Sequence, residues 1–287
     1  MEEYRIIKAL SGFYYVQTED GVVECRARGR FRRQDQSPLV GDFVRITRQG
    51  DKGVLEELLP RKNAFIRPAV ANIDQLVVLA SCAIPVTEPF LIDRVLAIAQ
   101  MQGVPALVVV NKDDLASAQP LAEIYRKAGV PVLVTSAETG EGIEALREAL
   151  NGKLSCLTGN SGVGKSSLLN RVCPELRLPV GEVSEKLGRG RHTTRHAQLW
   201  HVCGGAVLDT PGFSLLEADE MEPKELCECY REMRGKRIGC RFGECLHRSE
   251  PDCAVKPLIG TALSPERYER YLIILDELIE KRKHKYD

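Results

Sequence analysis

The stretch Gly159-Asn160-Ser161-Gly162-Val163-Gly164-Lys165-Ser166 constrains this chain more than any other. Its pattern, G-x-x-x-x-G-K-[ST], describes a phosphate-binding loop joining a strand to a helix. The context fits: KLSCLTG reads as a strand running into a glycine loop, and KSSLLNRV as a helix. The glycines let backbone N–H groups turn inward around an anion. Lys165 brings a point charge to the β- and γ-phosphates, and Ser166 offers its hydroxyl to Mg²⁺, with Ser167 counted in the same loop. The helix adds the positive end of its dipole.

Around this loop, residues 68–215 alternate strand and helix: QLVVLAS, PFLIDRVLAIAQMQ, ALVVVNKDD, PLAEIYRKAG, PVLVTSA, GIEALREAL. Apolar, β-branched runs between amphipathic helices predict a parallel sheet covered on both faces, here a central α/β P-loop domain. Residues 1–67 differ. Short alternating runs broken by Gly (GFYYV, GVVECRARGRFRR, VGDFVRI) predict a small OB-like β-barrel. Residues 216–287 carry no strong strand signal and predict a mostly helical domain with a Cys/His cluster. Ser264-Pro265 marks a helix start, and YERYLIILDELIEKRK follows with helical periodicity.

Downstream of the phosphate loop, AVLDTPG ends in Asp209-Thr210-Pro211-Gly212. An acid at that strand end can hold Mg²⁺ through water, and the Gly212 N–H can reach the γ-phosphate. Asn111-Lys112-Asp113-Asp114 closes an earlier strand. A carboxylate at Asp114 can accept two hydrogen bonds from guanine N1–H and the 2-amino group, a pair adenine lacks, and leaving it unpaired rejects the wrong base. Asn111 would tie this loop to the phosphate loop, with the Lys112 stem along the base. By itself the tetrapeptide is as consistent with a polar turn. Ser136-Ala137, in VTSAETG, is a second loop after a strand whose backbone N–H groups could bind the guanine O6. The two together, both on strand ends, point to base reading. Both precede Gly159, the reverse of the order in ordinary GTPases, so the motifs run circularly permuted.

Cys240, Cys245, His247 and Cys253 supply three thiolates and one imidazole, a set suited to closed, tetrahedral, structural Zn²⁺. Their spacing is not that of a paired C-x-x-C finger, and buried thiols beside a surface histidine are the alternative. Arg26, Arg28, Arg30 and Arg32 stand two residues apart; on a strand they share one face, with Phe31 on the other. Such a row invites a polyanion, or it protects a solvated edge strand. Arg231, Arg234, Lys236, Arg237 and Arg241 form a second basic cluster beside the Cys/His set, and Lys281–Lys285 a basic tail. Either could contact phosphates or simply face solvent.

The formal net charge is +0, so no global field draws the chain to nucleic acid or membrane. The apolar runs fall far short of the roughly 20 residues that span a bilayer. The start MEEYRIIKAL has no apolar signal region, so a cytoplasmic protein without membrane contact is expected. Ten cysteines in such a chain are not expected to form disulfides.

Barrel, permuted phosphate-loop domain and Cys/His domain together resemble the circularly permuted GTPases of the small ribosomal subunit, the YjeQ/RsgA type. NAFIRPAVANIDQ resembles that family's junction, and Glu250-Pro251 before the last Cys resembles its metal region. The resemblance implies GTP and GDP as ligands, Mg²⁺, one structural Zn²⁺, and the barrel on ribosomal RNA. By alignment with T-T-R in related GTPases, Thr194 completes the Mg²⁺ shell, with Thr193 second. Phe213 follows Gly212 where many GTPases place a water-orienting Gln. His192 and His196 are the nearest polar candidates, and the resemblance favours His192. The expected function is GTP hydrolysis, assisting late maturation of the small (30S) subunit and stimulated by it, in a monomeric protein. The alternative is a GTP-gated RNA-binding clamp with little multiple turnover.

Overall fold

The computed structural model describes residues 2–29, 31, 37–65, 69–180, 198–209 and 221–286. The N-terminal segment closes as the alternation predicts. β1 (Tyr4–Leu10), β2 (Phe13–Thr18), β3 (Gly21–Ala27), β4 (Phe43–Gln49) and β5 (Lys52–Leu58) pair in the order β1-β2-β3-β5-β4. A β1–β4 pairing, Tyr4 opposite Val44, shuts the five-stranded barrel. Ile6, Val16, Val23, Cys25, Val44 and Leu55 fill it from alternate strand positions. β6 (Ala64–Phe65) and β7 (Val70–Ala71) form a short antiparallel ribbon.

The arginine row does not form as expected. β3 stops at Ala27, and the Phe31 N–H turns back onto the Arg28 carbonyl at 3.1 Å. That turn seats the Phe31 ring in the barrel core, and burying an aromatic ring outweighs extending an exposed strand. Arg26 lies over the Phe13 ring at 4.7 Å and Arg28 pairs with Glu56 at 2.7 Å. Arg30 and Arg32 lie outside the described residues.

The following strands and helices are β8 (Gln75–Ser81), α1 (Pro89–Met101), β9 (Ala106–Asn111), α2 (Gln119–Lys127), β10 (Val132–Val134), α3 (Ile143–Leu150), β11 (Leu154–Thr158), α4 (Lys165–Val172), β12 (Gln198–Val202) and β13 (Gly205–Asp209). The short α5 (Leu226–Cys229) and the long α6 (Pro265–Tyr286) follow. Every residue of β8 and β11 is buried, as a strand covered on both faces requires.

These elements belong to two compact units. One comprises Met1–Leu76, Glu144–Thr158 and Lys165–Leu215; the other Val77–Ile143, Gly159–Gly164 and Leu216–Asp287. In the first, β11 runs parallel to β13, β12 antiparallel to β13, and Gln198 of β12 pairs with Lys8 of the barrel. At its partly exposed edge Asp74 accepts the Leu154 N–H at 2.7 Å and pairs with Lys62. In the second, β9 lies between β8 and β10 and is parallel to β10.

The C-terminal region is mostly helical, as expected: α5, three short 3-10 turns (Pro223–Glu225, Lys236–Gly239, Lys256–Leu258) and α6 carry it around the Cys/His cluster. Ser264 Oγ accepts the Arg267 N–H at 3.1 Å, so α6 starts where Ser264-Pro265 predicts. Within this second unit a buried ion cluster joins α1 to α6. Asp93 takes Arg267 and Arg270, and Arg267 Nε donates to Glu232 at 2.7 Å. Among the described residues no helix is long and apolar enough to cross a membrane.

Candidate nucleotide and metal sites

β11 delivers the chain into the glycine loop, and α4 begins at Lys165, so the phosphate loop sits between strand and helix as its pattern demands. Its shape leaves no room for side chains at two glycines. A Cβ on Gly159 (φ +147°) would stand 2.5 Å from the Leu79 carbonyl oxygen. One on Gly164 (φ +97°) would stand 2.4 Å from Asn111 Nδ2.

Asn111, at the end of β9, is a buried hub. Its Nδ2 donates to the Val163 carbonyl at 2.9 Å. Its Oδ1 accepts the Ala137 N–H at 3.2 Å and the Thr135 hydroxyl at 3.3 Å. One amide thereby ties the loops after β9 and β10 to the phosphate loop. Burial makes the tie costly to break, because each partner would be left unsatisfied.

Asp114 is exposed, and Ser136 Oγ donates to its Oδ1 at 2.5 Å while accepting the Thr139 N–H at 3.1 Å. The serine therefore orients the carboxylate. Here the loop after β10 departs from the expected role. The Ala137 amide is turned to Asn111 and the Ser136 amide to the Glu141 carbonyl at 3.0 Å. In this arrangement both amides are held by partners within the protein. Asp113 closes the turn locally, accepting the Ala118 N–H at 2.6 Å just before α2. Lys112, at φ +67°, sends its ammonium to the Ile84 carbonyl at 2.8 Å. Neither Thr135 nor Ile84 carries a motif, and sequence reasoning missed both.

Ser166 and Ser167 lie in the first turn of α4. Asp209 ends β13 opposite Leu157, two residues before Gly159 on the neighbouring strand. Its side chain, Thr193, Thr194, His192, His196, Gly212 and Phe213 lie outside the described residues.

The Cys/His cluster is brought together. The ligand atoms of Cys240, Cys245, His247 and Cys253 lie within 4.8 Å of one another. His247 Nδ1 stands 3.6, 3.5 and 3.3 Å from the sulfurs of Cys240, Cys245 and Cys253. Tetrahedral Zn²⁺, with bonds of about 2.3 Å to sulfur and 2.0 Å to nitrogen, spaces such ligands about 3.5 Å apart. The residues therefore fit that ion. Burial pushes the Cys245 thiol up to about 12 and holds the His247 imidazole below its ordinary value. A dication would stabilise the thiolates that burial disfavours. Glu250 shapes the ligand turn by accepting the N–H groups of Leu246, Arg248 and Ser249 at 2.6, 2.7 and 3.0 Å. From α6, Tyr268 donates to the His247 carbonyl at 2.7 Å and Tyr271 to that of Leu246 at 2.8 Å.

Two family models match in tandem: the RsgA N-terminal domain over residues 4–55 and the RsgA GTPase over residues 58–219. The chain belongs to the RsgA GTPase family. It is 44% identical to the small ribosomal subunit biogenesis GTPase RsgA of Caldanaerobacter subterraneus subsp. tengcongensis, covering 98% of this chain and 97% of that protein. Identity to the protein of the same description from Geobacillus thermodenitrificans is also 44%, over 98% and 99%. The crystal structure of YjeQ from Thermotoga maritima superposes with a TM-score of 0.80 at 36% identity, covering 96% of this chain and 98% of that one. YloQ, a circularly permuted GTPase, gives 0.78 at 36% identity, over 98% and 96%. Barrel, permuted motif order and GTPase activity, expected from the sequence, thus stand as family properties, and with them the use of guanine nucleotide and Mg²⁺.

Proposed function

We propose that this GTPase works in small ribosomal subunit biogenesis, hydrolysing GTP in response to the 30S particle and contacting its rRNA. The observation that carries the reading is the Asn111 hub, which holds the phosphate loop and both loops after β9 and β10 in one arrangement. On this reading Gly159–Ser167 enclose the phosphates, Lys165 neutralises the β- and γ-oxygens, and Ser166, Thr194 and Asp209 hold Mg²⁺. Asp114, aimed by Ser136, selects guanine, and Gly212 offers its N–H to the γ-phosphate. His192 orients the attacking water in place of the Gln that Phe213 replaces. Zn²⁺ bound by Cys240, Cys245, His247 and Cys253 supplies folding free energy and no chemistry. The names of the relatives support the small-subunit partner. The exposed basic residues around the Cys/His cluster, and Arg26 and Arg28 on the barrel, support rRNA contact. We read a monomer working in the cytoplasm, where ribosomal subunits are built.

Phosphate release under multiple turnover, with and without purified 30S subunits, tests this. Unassisted Ras-like hydrolysis runs at about 10⁻⁴ to 10⁻³ s⁻¹ and a partner can raise it about 10⁵-fold. A rate rising with 30S concentration supports the reading. Equal rates reject stimulation, and a single turnover followed by retention of GDP favours the clamp.

A further inference from the structure

The segment between β8 and α1 has no part in the motifs, yet it touches two of them. Its base is cinched by two side chains. Thr87 Oγ1 accepts the Ser81 N–H at 3.0 Å, and the Thr87 N–H returns to the Ser81 carbonyl at 2.9 Å. Ser81 Oγ accepts the Ala83 N–H at 3.0 Å. The ends of a seven-residue loop are thus held together by their own polar groups. The tip does little for the hydrophobic core, since Ile84 is 86% and Val86 57% exposed.

What the tip does supply is two contacts. The Ile84 carbonyl receives the Lys112 ammonium at 2.8 Å. The Pro85 ring lies against the phosphate loop, close enough that a Cβ on Gly162 would meet its Cγ at 3.1 Å and its Cδ at 3.2 Å. Asn111 links the base-reading and phosphate loops from the buried side. Ile84 and Pro85 link the same two loops from the exposed side. A long lysine side chain otherwise loses much rotamer freedom when it settles along a base, and a fixed partner for its ammonium removes part of that cost before the ligand arrives.

We propose that Ile84-Pro85 is a positioning element of the nucleotide site, setting the Lys112 stem and the separation of the two loops so that bound guanine nucleotide is retained. This rests on the reading that Asp114 and the Gly159–Ser166 loop hold GTP and GDP. Ile84 acts through its carbonyl and Pro85 through its ring; neither is placed on a reacting atom.

Dissociation of GDP carrying a fluorescent N-methylanthraniloyl group, followed by stopped flow in the full chain, tests it. Lys112→Met keeps the stem and removes the ammonium, and Pro85→Gly frees the tip. Each is expected to speed dissociation about 3- to 10-fold, the loss of one hydrogen bond or its positioning. Because both cut one link, the double variant should dissociate less than the product of the two factors. Gly162→Ala should also cost less affinity on the Pro85→Gly background than in the parent, because the added methyl group no longer meets the ring. A purely structural loop would lower the melting temperature of the nucleotide-free protein and leave the dissociation rate alone. Parental dissociation in both single variants, or fully multiplicative factors in the double, overturns the proposal. If Pro85→Gly fails to fold, Pro85→Ala and Lys112→Met carry the same comparison. A parent that binds no GDP at all sinks the nucleotide-site reading itself, a different result from variants that match a binding parent.

Discussion

Replacing one carboxylate oxygen at Asp114 by an amide should exchange guanine for xanthine. Ser136 Oγ donates to Asp114 Oδ1 at 2.5 Å, and its own lone pair is taken by the Thr139 N–H at 3.1 Å. In Asp114→Asn that hydroxyl still needs an acceptor, so the amide oxygen settles where Oδ1 stands and Nδ2 where Oδ2 stands. Guanine then presents an N–H donor to an NH₂ donor. One charge-assisted bond, worth about 1.5–3 kcal/mol, is lost, the other loses its charge, and an unpaired donor adds about 1–3 kcal/mol. The sum, about 3–5 kcal/mol, weakens GTP roughly 10²- to 10⁴-fold. Xanthine carries a carbonyl where guanine carries its amine, so it accepts from Nδ2 and XTP should regain most of the loss. Competition of GTP, XTP and ATP against fluorescent GDP or XDP reads both changes. Ser136→Ala should blur the exchange by letting the amide flip. An Asp114→Asn protein that keeps its GTP-over-XTP preference would refute the assignment of Asp114 to the base edge.

Zinc should be present at about one atom per chain, measured by atomic emission. Chelation should raise hydrogen exchange from Cys240 to Val255 while the barrel strands stay protected; zinc-free protein with a protected Cys/His region would contradict this. Asp93→Ala leaves the buried Arg267 and Arg270 without their shared carboxylate, and should cost about 3–5 kcal/mol in denaturant unfolding. A loss under about 1 kcal/mol would mean the cluster is not buried in solution. At Asp74, burial works against the charge, but the Lys62 hydrogen bond and the Leu154 amide outweigh it and hold the carboxyl below its ordinary value. A depressed pKa stabilises the fold above the unfolded value of about 3.9 and is lost as pH falls below it. The melting-temperature gap between the parent and Asp74→Asn should therefore be open at neutral pH and close in acid; a gap independent of pH would dismiss the ionised form as its source.

What the sequence made legible was whatever chemistry is written in consecutive residues. The phosphate loop needs glycines and a lysine at fixed offsets, and Ser264-Pro265 needs only its own helix. Both are local demands, so spacing sufficed. The Cys/His set was also readable, though spacing could not say that Nδ1 rather than Nε2 faces the sulfurs; that depends on Tyr268 and Tyr271 reaching over from α6. The arginine row failed because alternation assumes that a strand continues, whereas Phe31 gains more by turning inward. The hydrogen bond from the Ala137 N–H to Asn111 has no local signature, since its acceptor comes from another strand. The Asp93, Glu232 and Arg267 cluster had no local signature at all, because each charge is balanced by a residue distant in sequence. Along the chain α2, β10, α3 and β11 separate the loop after β9 from the phosphate loop, so their mutual position must be held across space. The chain places Asn111 in the buried seam to do so, at a position where leucine or aspartate would each leave the Val163 carbonyl or the Ala137 amide without a partner.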